Sequence, residues 1–319
     1  MVGRGVTQTP ASTIFEIVNF RLLRQCKRSN LLEGIITVDF DDSAKFILFV
    51  GTPRSGHSIV GAILDAHPLA IISHEVNALE RISEGVKGED LFSMIIENSA
   101  NQSSAGRGQS EADLAAGYGQ QLFHRVWRWV RQPRLSKPKP YSFDYEITGQ
   151  SQGIIGGPLR VIGDKKGGAT TKILSRNPNL LRRLQEEVEL PLVMIHVIRD
   201  PYDNISTMAR RTDNQIGPQI RGFGRLLEQI NSILVDSGLP IYRMYHEDFV
   251  SSPEKEIREI CKWLNLPTDL NFIDTCSSIV YEKPHRSRDL VDWDDNSKAS
   301  VEEIISSWPI LHRYSDKNS

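Results

Sequence analysis

The sequence predicts an α/β fold in three layers, with helices on both faces of a central, mostly parallel sheet. The first supporting observation is a short apolar run at residues 46–50, whose β-branched and aromatic content is typical of a buried strand. The second is the regular alternation of strand and helix patterns after residue 157. The third is a glycine-bounded turn between the first strand and a helix, an arrangement that often binds a phosphate.

The composition limits the class of protein. The chain has 319 residues, of which 39% are hydrophobic and 24% charged, as in an ordinary globular protein. The net charge of −2 argues against a nucleic-acid partner. The three cysteines are widely spaced and form no CxxC pair, so we expect no disulfide framework, no metal site and a cytoplasmic setting. We also expect neither a signal peptide nor a membrane span.

The sequence divides into an extension and one larger domain. Residues 1–45 are predicted to be an N-terminal extension with a short amphipathic helix at 14–27. Residues 46–319 are assigned to one domain, which a helical and loop-rich insertion interrupts at about 85–157. Within that insertion, one helix pattern is built on Phe123, Val126, Trp127 and Val130.

The elements of the main domain follow from local patterns. The helix after the glycine-bounded turn ends at His67, because the residue before a proline is pushed out of the helical region. Ser252 before Pro253 predicts a capped helix start, and the spacing of Ser300 and Glu303 predicts a capping box that begins the last helix. The other predicted strands are 159–162, 192–198 and 241–245, and the other predicted helices are 177–189, 204–211, 221–236 and 253–264.

The turn at residues 51–58 has the spacing of a nucleotide-binding loop, GxxxxGK[ST], except that His57 replaces the lysine. Its backbone N–H groups, at the start of a helix, remain able to bind an anion. In a kinase or NTPase the lysine reaches the β- and γ-phosphates, so its loss argues against triphosphate chemistry. Arg54 supplies a different cation, whose planar guanidinium suits a phosphate or a sulfonate.

The sequence around this turn resembles a known family. The PRSGHS run, the LDAHP segment that follows it and Glu75 together resemble the 5′-phosphosulfate loop region of sulfotransferases that use 3′-phosphoadenosine 5′-phosphosulfate (PAPS), locally those of the tyrosylprotein type. The run VIRDPYDNISTM at residues 197–208 resembles the family's 3′-phosphate motif. Its arginine and hydroxyl correspond to Arg199 and Thr207, with Ser206 as a substitute. The resemblance implies a P-loop-like sulfotransferase fold.

Three further segments are similar to the same family. The GDK sequence that ends at Lys165 resembles a motif whose lysine steadies the sulfonate and the leaving group. Residues 245–264 resemble a segment in which a tyrosine packs near adenine; His246 stands at that position and Tyr245 one place earlier, which leaves the adenine contact open. Residues 281–293 resemble a basic loop that closes on the co-substrate. Its candidate phosphate ligands are Lys283, Arg286 and Arg288.

The resemblance implies transfer of a sulfuryl group from PAPS to a hydroxyl of an acceptor, without a metal ion. Glu75 is predicted to be the general base, with a pKa raised by desolvation. His74 is the alternative base, since an imidazole titrates near neutral pH. Arg54 and Lys165 are predicted to bind the sulfonate and the leaving oxygen. The predicted co-substrate ligands are Arg54, Ser55, Gly56, His57, Ser58, Arg199, Ser206, Thr207, Tyr245, Lys283, Arg286 and Arg288.

Two other functions are compatible with the same motifs. A P-loop nucleoside or small-molecule kinase would share the turn and use Asp200 at the end of an apolar strand, but it needs Mg²⁺ and the lysine that His57 replaces. A sulfotransferase-like binding protein without turnover would keep the ligand-binding residues. The acceptor is left open among small molecules, glycans and peptides, as is a homodimer.

Overall fold

A five-stranded parallel sheet forms the centre of the fold. The computed structural model describes residues 38–105, 147–212 and 215–315, and from Asp39 onward these residues belong to one compact unit. The sheet order is β2-β3-β1-β4-β5, and every neighbouring pair is parallel. The predicted α/β fold is therefore confirmed. The strands are β1 (Phe40–Val50), β2 (Ala70–His74), β3 (Leu159–Lys165), β4 (Leu192–Ile198) and β5 (Ile241–Tyr245).

Helices flank this sheet. Among the described residues, none of them has the length and hydrophobicity that a membrane-spanning segment requires. Two 3₁₀ turns, Ser287–Leu290 and Pro309–Tyr314, lie near the C-terminus. The α-helices of the described residues are α1 (His57–Asp65), α2 (Ala78–Ser83), α3 (Gly88–Ala105), α4 (Gly167–Arg176), α5 (Leu180–Val188), α6 (Pro201–Thr212), α7 (Ile216–Asp236), α8 (His246–Ser251), α9 (Pro253–Trp263), α10 (Leu270–Ser278) and α11 (Asp295–Ser307).

Both faces of the sheet are buried. Ile47 and Phe49 of β1 lie in a core cluster that includes apolar side chains of α1, α8, α9 and α10. Phe46 and Leu48 point the other way, because side chains alternate along a strand, and they are buried as well. This burial on both sides explains why the run from residue 46 to 50 is continuously apolar rather than alternating.

The parallel arrangement brings several predicted site residues to one edge of the sheet. His74 at the end of β2 is paired with Lys165 at the end of β3. β1 leads into the glycine-bounded turn, β2 leads into Glu75, and β4 leads into Arg199. Ligands of α/β proteins usually bind at such a carboxyl edge.

Two predicted capping hydrogen bonds were wrong. α9 begins at Pro253 with Ser252 as its N-cap residue, as predicted, but the Ser252 side chain makes no capping hydrogen bond. The last helix begins at Asp295, because the Asp294 side chain accepts a hydrogen bond from the backbone N–H of Ser297 (2.7 Å). An upstream aspartate therefore caps α11, and Ser300 lies inside the helix rather than at its start.

Part of the predicted insertion belongs to the core. α3 buries Leu91 and Ile95 completely, and Ser99 donates a hydrogen bond to Asp65 of α1 (2.7 Å). The predicted helices at 14–27 and 123–130 lie outside the described residues. The proposed domain boundaries stay a prediction.

We expect Gly163→Ala to destabilise the sheet. A Cβ at Gly163 of β3 would lie 2.5 Å from the carbonyl oxygen of Ile47 in β1, and only a shift of the paired strands relieves this contact. The expected loss is about 1–3 kcal/mol in the free energy of unfolding, measured by urea denaturation. Gly222→Ala in α7 is the control, since its new Cβ meets nothing within 4 Å. A Gly163→Ala protein as stable as this control would contradict the expectation.

Candidate functional site

The glycine-bounded turn directs the N-terminus of α1 toward the carboxyl edge of the sheet. Gly56 is the N-cap residue of α1 with a φ of 105°, and Gly51 has a φ of 147°, both in the region that favours glycine. Among the described residues, no side chain accepts a hydrogen bond from the first turn of α1, and that turn has no acidic residue. Its backbone N–H groups are therefore available to an anion.

His57, which replaces the lysine of nucleotide-binding loops, points into the protein. Its Nε2 donates to the carbonyl of Val50 (3.2 Å), and its Nδ1 lies 3.0 Å from the hydroxyl oxygen of Ser55. Two glycines make room for the ring: a Cβ at Gly51 would lie 2.8 Å from it, and a Cβ at Gly167 2.6 Å. In this conformation His57 and Ser55 offer an anion their backbone N–H groups, because both side chains are turned inward.

Arg199 joins the glycine-bounded turn at residues 51–58 (the phosphate turn) to two other segments. Its Nη1 donates to Thr207 Oγ1 (3.3 Å) and to the carbonyl of Arg54 (3.1 Å). Its Nη2 donates to the carbonyl of His285 (2.9 Å). The Ser287 hydroxyl lies 2.8 Å from Thr207 Oγ1. One buried guanidinium and two hydroxyl groups thus converge beside the turn, as the strand-and-helix spacing of Arg199 and Thr207 predicts.

Ser206, the predicted substitute for Thr207, has a different environment. Its side chain is fully buried, and its hydroxyl has no hydrogen-bond partner among the described residues. Thr207 is the residue whose hydroxyl contacts Arg199. The geometry therefore favours Thr207 over Ser206 as a ligand of an anion at this position.

Lys165 lies at the centre of a charged cluster. Its Nζ donates to Glu75 Oε1 (3.2 Å) and to Ser58 Oγ in the first turn of α1 (3.1 Å). His74 Nε2 lies 3.2 Å from the same Nζ. Lys166 pairs with the other carboxylate oxygen of Glu75. Two ammonium groups therefore hold the Glu75 carboxylate next to the N-terminus of α1.

These charges set the protonation states of the cluster. Burial raises the pKa of Glu75, but Lys165 and Lys166 outweigh it and lower this pKa to about 2. The predicted rise was therefore wrong, because two lysines face the carboxylate. Burial, reinforced by Lys165, lowers the pKa of His74 to about 4. Near neutral pH, Glu75 is a carboxylate and His74 a neutral imidazole.

Asp164 holds Glu75 in position. Its buried carboxylate accepts hydrogen bonds from the backbone N–H groups of Val76 (2.9 Å) and Ala78 (3.0 Å). Glu75 and Asn77 have φ values of 68° and 63°, which are uncommon for residues other than glycine. The two hydrogen bonds are donated by the residues that directly follow Glu75 and Asn77, so Asp164 stabilises the turn that places Glu75 beside the lysines.

The basic segment after residue 281 offers fewer free cations than predicted. Arg288 pairs with Asp200 and with Asp203 (2.8 Å to the latter). Burial lowers the pKa of Arg288, but the two aspartates outweigh burial and raise this pKa above its ordinary value. Its charge is already balanced. Arg286 is exposed and pairs with an aspartate of the same segment (3.0 Å), while Lys283 is exposed.

His246, rather than Tyr245, contacts the phosphate turn. The Tyr245 hydroxyl donates to the carbonyl of Ile310 (3.2 Å), and its ring lies 4.2 Å from the Arg313 guanidinium. The His246 ring packs on Gly56, where a Cβ would lie 2.6 Å from Nδ1. The sequence left this position open between Tyr245 and His246, and the ring of His246 is the one that lies beside the turn.

Three residues of the site were not predicted from the sequence as functional. Lys166 pairs with Glu75, Ser287 contacts Thr207, and Asp164 fixes the Glu75 turn. Lys166 directly follows Lys165 at the end of β3, and this second lysine in the sequence was a signal for its role. Ser287 lies in no distinctive motif. Among the described residues, no cluster of three or more potential metal ligands occurs.

Three buried histidines next to the site predict acid sensitivity. Burial lowers the pKa values of His57, His196 and His246 to about 4, 3 and 4. A histidine of the unfolded chain titrates near pH 6.5. Between about pH 6.5 and 4 the unfolded chain therefore binds more protons, and stability falls as the pH falls. Buried Asp65, with a pKa raised to about 6 by burial, acts in the opposite direction.

We expect His57→Gln to weaken this pH dependence. The variant removes one group that is protonated only after unfolding, so its free energy of unfolding should fall less between about pH 7 and about pH 5 than that of the unmodified protein. Urea denaturation at both pH values measures this fall in stability for the variant and for the unmodified protein. Asp65 is present in both proteins, so its contribution cancels when the two falls are compared. His312→Gln, at an exposed position, is the control. An unchanged pH dependence in His57→Gln would contradict a buried, neutral His57.

Comparison with known proteins gives a family. A sequence profile described as the sulfotransferase family matches residues 47–270, which is more than half of the chain. A search among curated proteins finds no significant match.

Several solved structures resemble this fold distantly. The sulfotransferase domain from the curacin biosynthetic pathway has 14% identity and a TM-score of 0.45, over 83% of this chain and 96% of that chain. A sulfotransferase from Alicyclobacillus acidocaldarius has 12% identity and a TM-score of 0.39, over 84% and 96%. A mouse sulfotransferase complexed with PAP has 10% identity and a TM-score of 0.42, over 92% and 96%. The match over residues 47–270 shows that this chain belongs to the sulfotransferase family.

Proposed function

We propose that the protein transfers a sulfuryl group from PAPS to a hydroxyl of an acceptor, with Glu75 as the general base. The observation that carries this proposal is the ion pair between Lys165 and Glu75 (3.2 Å), which Ser58 links to the first turn of α1. A cation that stabilises developing negative charge and a carboxylate that accepts a proton thus lie together beside an anion-binding helix start.

The residues at this edge suit the two charged ends of PAPS. The uncapped first turn of α1 and the Ser58 hydroxyl suit the 5′-phosphate. Arg199 and Thr207 suit the 3′-phosphate, because a phosphate oxygen is a stronger acceptor than the carbonyl oxygens that Arg199 contacts. Lys283 is exposed two residues before His285, whose carbonyl contacts Arg199, and would add positive charge.

The proposed reaction breaks one S–O bond and forms another. The acceptor oxygen attacks the sulfur, the bond from sulfur to the bridging oxygen breaks, and its electron pair stays on the 5′-phosphate of adenosine 3′,5′-bisphosphate. Glu75 accepts the proton of the acceptor hydroxyl. Arg54 and Lys165 stabilise the charge that builds on the bridging and sulfonate oxygens.

Glu75 is a better candidate for the base than His74. The His74 Nε2 faces the ammonium of Lys165 at 3.2 Å, which occupies its lone pair. The Glu75 side chain is 43% exposed and accessible to an acceptor. Its pKa of about 2 makes it a weak base while Lys165 and Lys166 contact it. We infer that Lys165 turns toward the sulfonate when the donor binds, which raises the pKa of Glu75 for catalysis.

We expect adenosine 3′,5′-bisphosphate, but not Mg-ATP, to raise the melting temperature of the protein.

Thr207→Val and Arg199→Ala should each weaken binding of the bisphosphate, the arginine variant by about 10- to 100-fold, since a charge-assisted hydrogen bond is lost. Binding of adenosine 5′-monophosphate, which lacks the 3′-phosphate, should change little. Calorimetric titration measures both ligands, with Arg243→Ala, at an exposed position of β5, as control. If Arg199→Ala weakened the binding of both ligands equally, Arg199 would not be a ligand of the 3′-phosphate.

We expect Glu75→Gln to lower kcat by about 10²- to 10⁴-fold, because the isosteric amide cannot accept the proton. Affinity for adenosine 3′,5′-bisphosphate should stay within about threefold, which corresponds to less than 1 kcal/mol. Turnover is measured as bisphosphate release from PAPS with a panel of phenol, sugar and peptide acceptors. Glu80→Gln, at an exposed position of α2, is the control. An active Glu75→Gln together with an inactive His74→Gln would transfer the role of base to His74.

A further inference from the structure

A cleft next to the phosphate turn is not explained by the motifs. It has a volume of about 430 Å³ and lies between α4 and α7, with Pro53 of the turn at one end. Buried Met208 and Leu226 contribute apolar surface to it. This volume is within the range of small-molecule sites, which combine apolar walls with a few polar groups.

Three cations line the cleft, and no carboxylate does. Lys172 and Arg176 come from α4, and Arg225 comes from α7. All three are exposed, and none forms an ion pair with another residue in the described part of the chain. Like charges that face one cleft repel each other, and an anionic ligand relieves this repulsion. The lining therefore favours an anion with an apolar body over a neutral or cationic ligand.

The helix α4, which forms one wall of the cleft, begins close to the proposed base. A Cβ at Gly168 in the first turn of α4 would lie 2.7 Å from Pro53 Cγ, so α4 starts against the phosphate turn. Lys166, the residue before α4, pairs with the proposed base. At a rise of 1.5 Å per residue, Lys172 and Arg176 follow roughly 9 and 15 Å along the helix.

The adjacent loop residue adds to the positive charge. Burial, followed by the charge of Arg211, lowers the pKa of Arg54, so these two cations lie close enough to affect each other. Arg54 directly follows Pro53 of the cleft lining. The positive surface thus continues from the cleft toward the position proposed for the sulfonate.

We propose that this cleft binds the acceptor and that the acceptor is a small organic anion with an apolar body, whose reactive hydroxyl lies roughly 9–15 Å from its anionic group. The proposal rests on the sulfuryl transfer proposed above. Met208 and Leu226 hold the apolar body. The anionic group is bound by Lys172, Arg176 and Arg225, and the hydroxyl end passes Pro53 toward the base.

The test compares a hydroxy acid with a neutral molecule of the same length. Calorimetric titrations at low salt use ω-hydroxydodecanoate and dodecanediol, each with and without adenosine 3′,5′-bisphosphate. We expect the acid to bind at least about tenfold more tightly than the diol, a difference of about 1.4 kcal/mol. Arg225→Gln and Lys172→Gln should each reduce this preference to about threefold or less. Arg221→Gln, at an exposed position of α7 outside the cleft lining, should keep it.

Three results would overturn the proposal. The first is equal binding of acid and diol, and the second is a preference that survives in Arg225→Gln and Lys172→Gln. The third is tighter binding of an octaglutamate peptide than of the hydroxy acid, which would indicate a polyanionic chain as acceptor. The titrations without nucleotide keep this test separate from the proposed reaction: failure of bisphosphate binding counts against the donor site, while loss of the acid preference counts against the cleft.

Discussion

A single buried carboxylate, that of Asp164, controls the geometry on which the proposed chemistry depends. Asp164 is 1% exposed, and it binds the backbone N–H groups of Val76 and Ala78. Without it, these N–H groups would lose their partner, and Glu75 and Asn77 would keep an unfavourable backbone conformation without compensation. Burial raises the pKa of Asp164, so the cost of an ionised buried carboxylate is part of the cost of building this turn.

Partly desolvated cations dominate the carboxyl edge of the sheet. Burial lowers the pKa values of Arg54, Lys165 and Arg199, since each guanidinium or ammonium group has lost part of its hydration. An anionic donor with two charged ends would interact favourably with all three cations and so compensate for their lost hydration. Glu75 is the internal anion that compensates the charge of Lys165. Donor binding and activation of the base are therefore coupled in the proposed mechanism, because both compete for the same ammonium group.

In the proposed mechanism, binding of the donor and choice of the acceptor depend on different parts of the fold. The residues proposed to bind the donor lie in the turn and at strand ends, where the parallel sheet fixes their positions. The proposed acceptor cleft is formed by side chains of α4 and α7, including Lys172 and Arg225. Such helix-surface residues can change without disturbing the sheet, so one reaction centre can serve different acceptors in one fold.

The sequence by itself determined the features that arise from local patterns. The apolar run of β1, the glycines of the phosphate turn and the strand-to-helix spacing of Arg199 and Thr207 all depend on residues close together in the chain. This was enough to predict the parallel sheet and the edge at which the candidate site lies.

Only the tertiary structure decided how these residues interact. The pKa of Glu75 is low because Lys165 and Lys166, about ninety positions further along the chain, meet it through the pairing of β2 with β3. Arg288 has its charge balanced because α6 presents Asp203 to it. His57 turns inward because Gly167 leaves space for its ring. Protonation states and side-chain directions depend on charges and volumes contributed by distant segments, and a linear pattern does not contain that information.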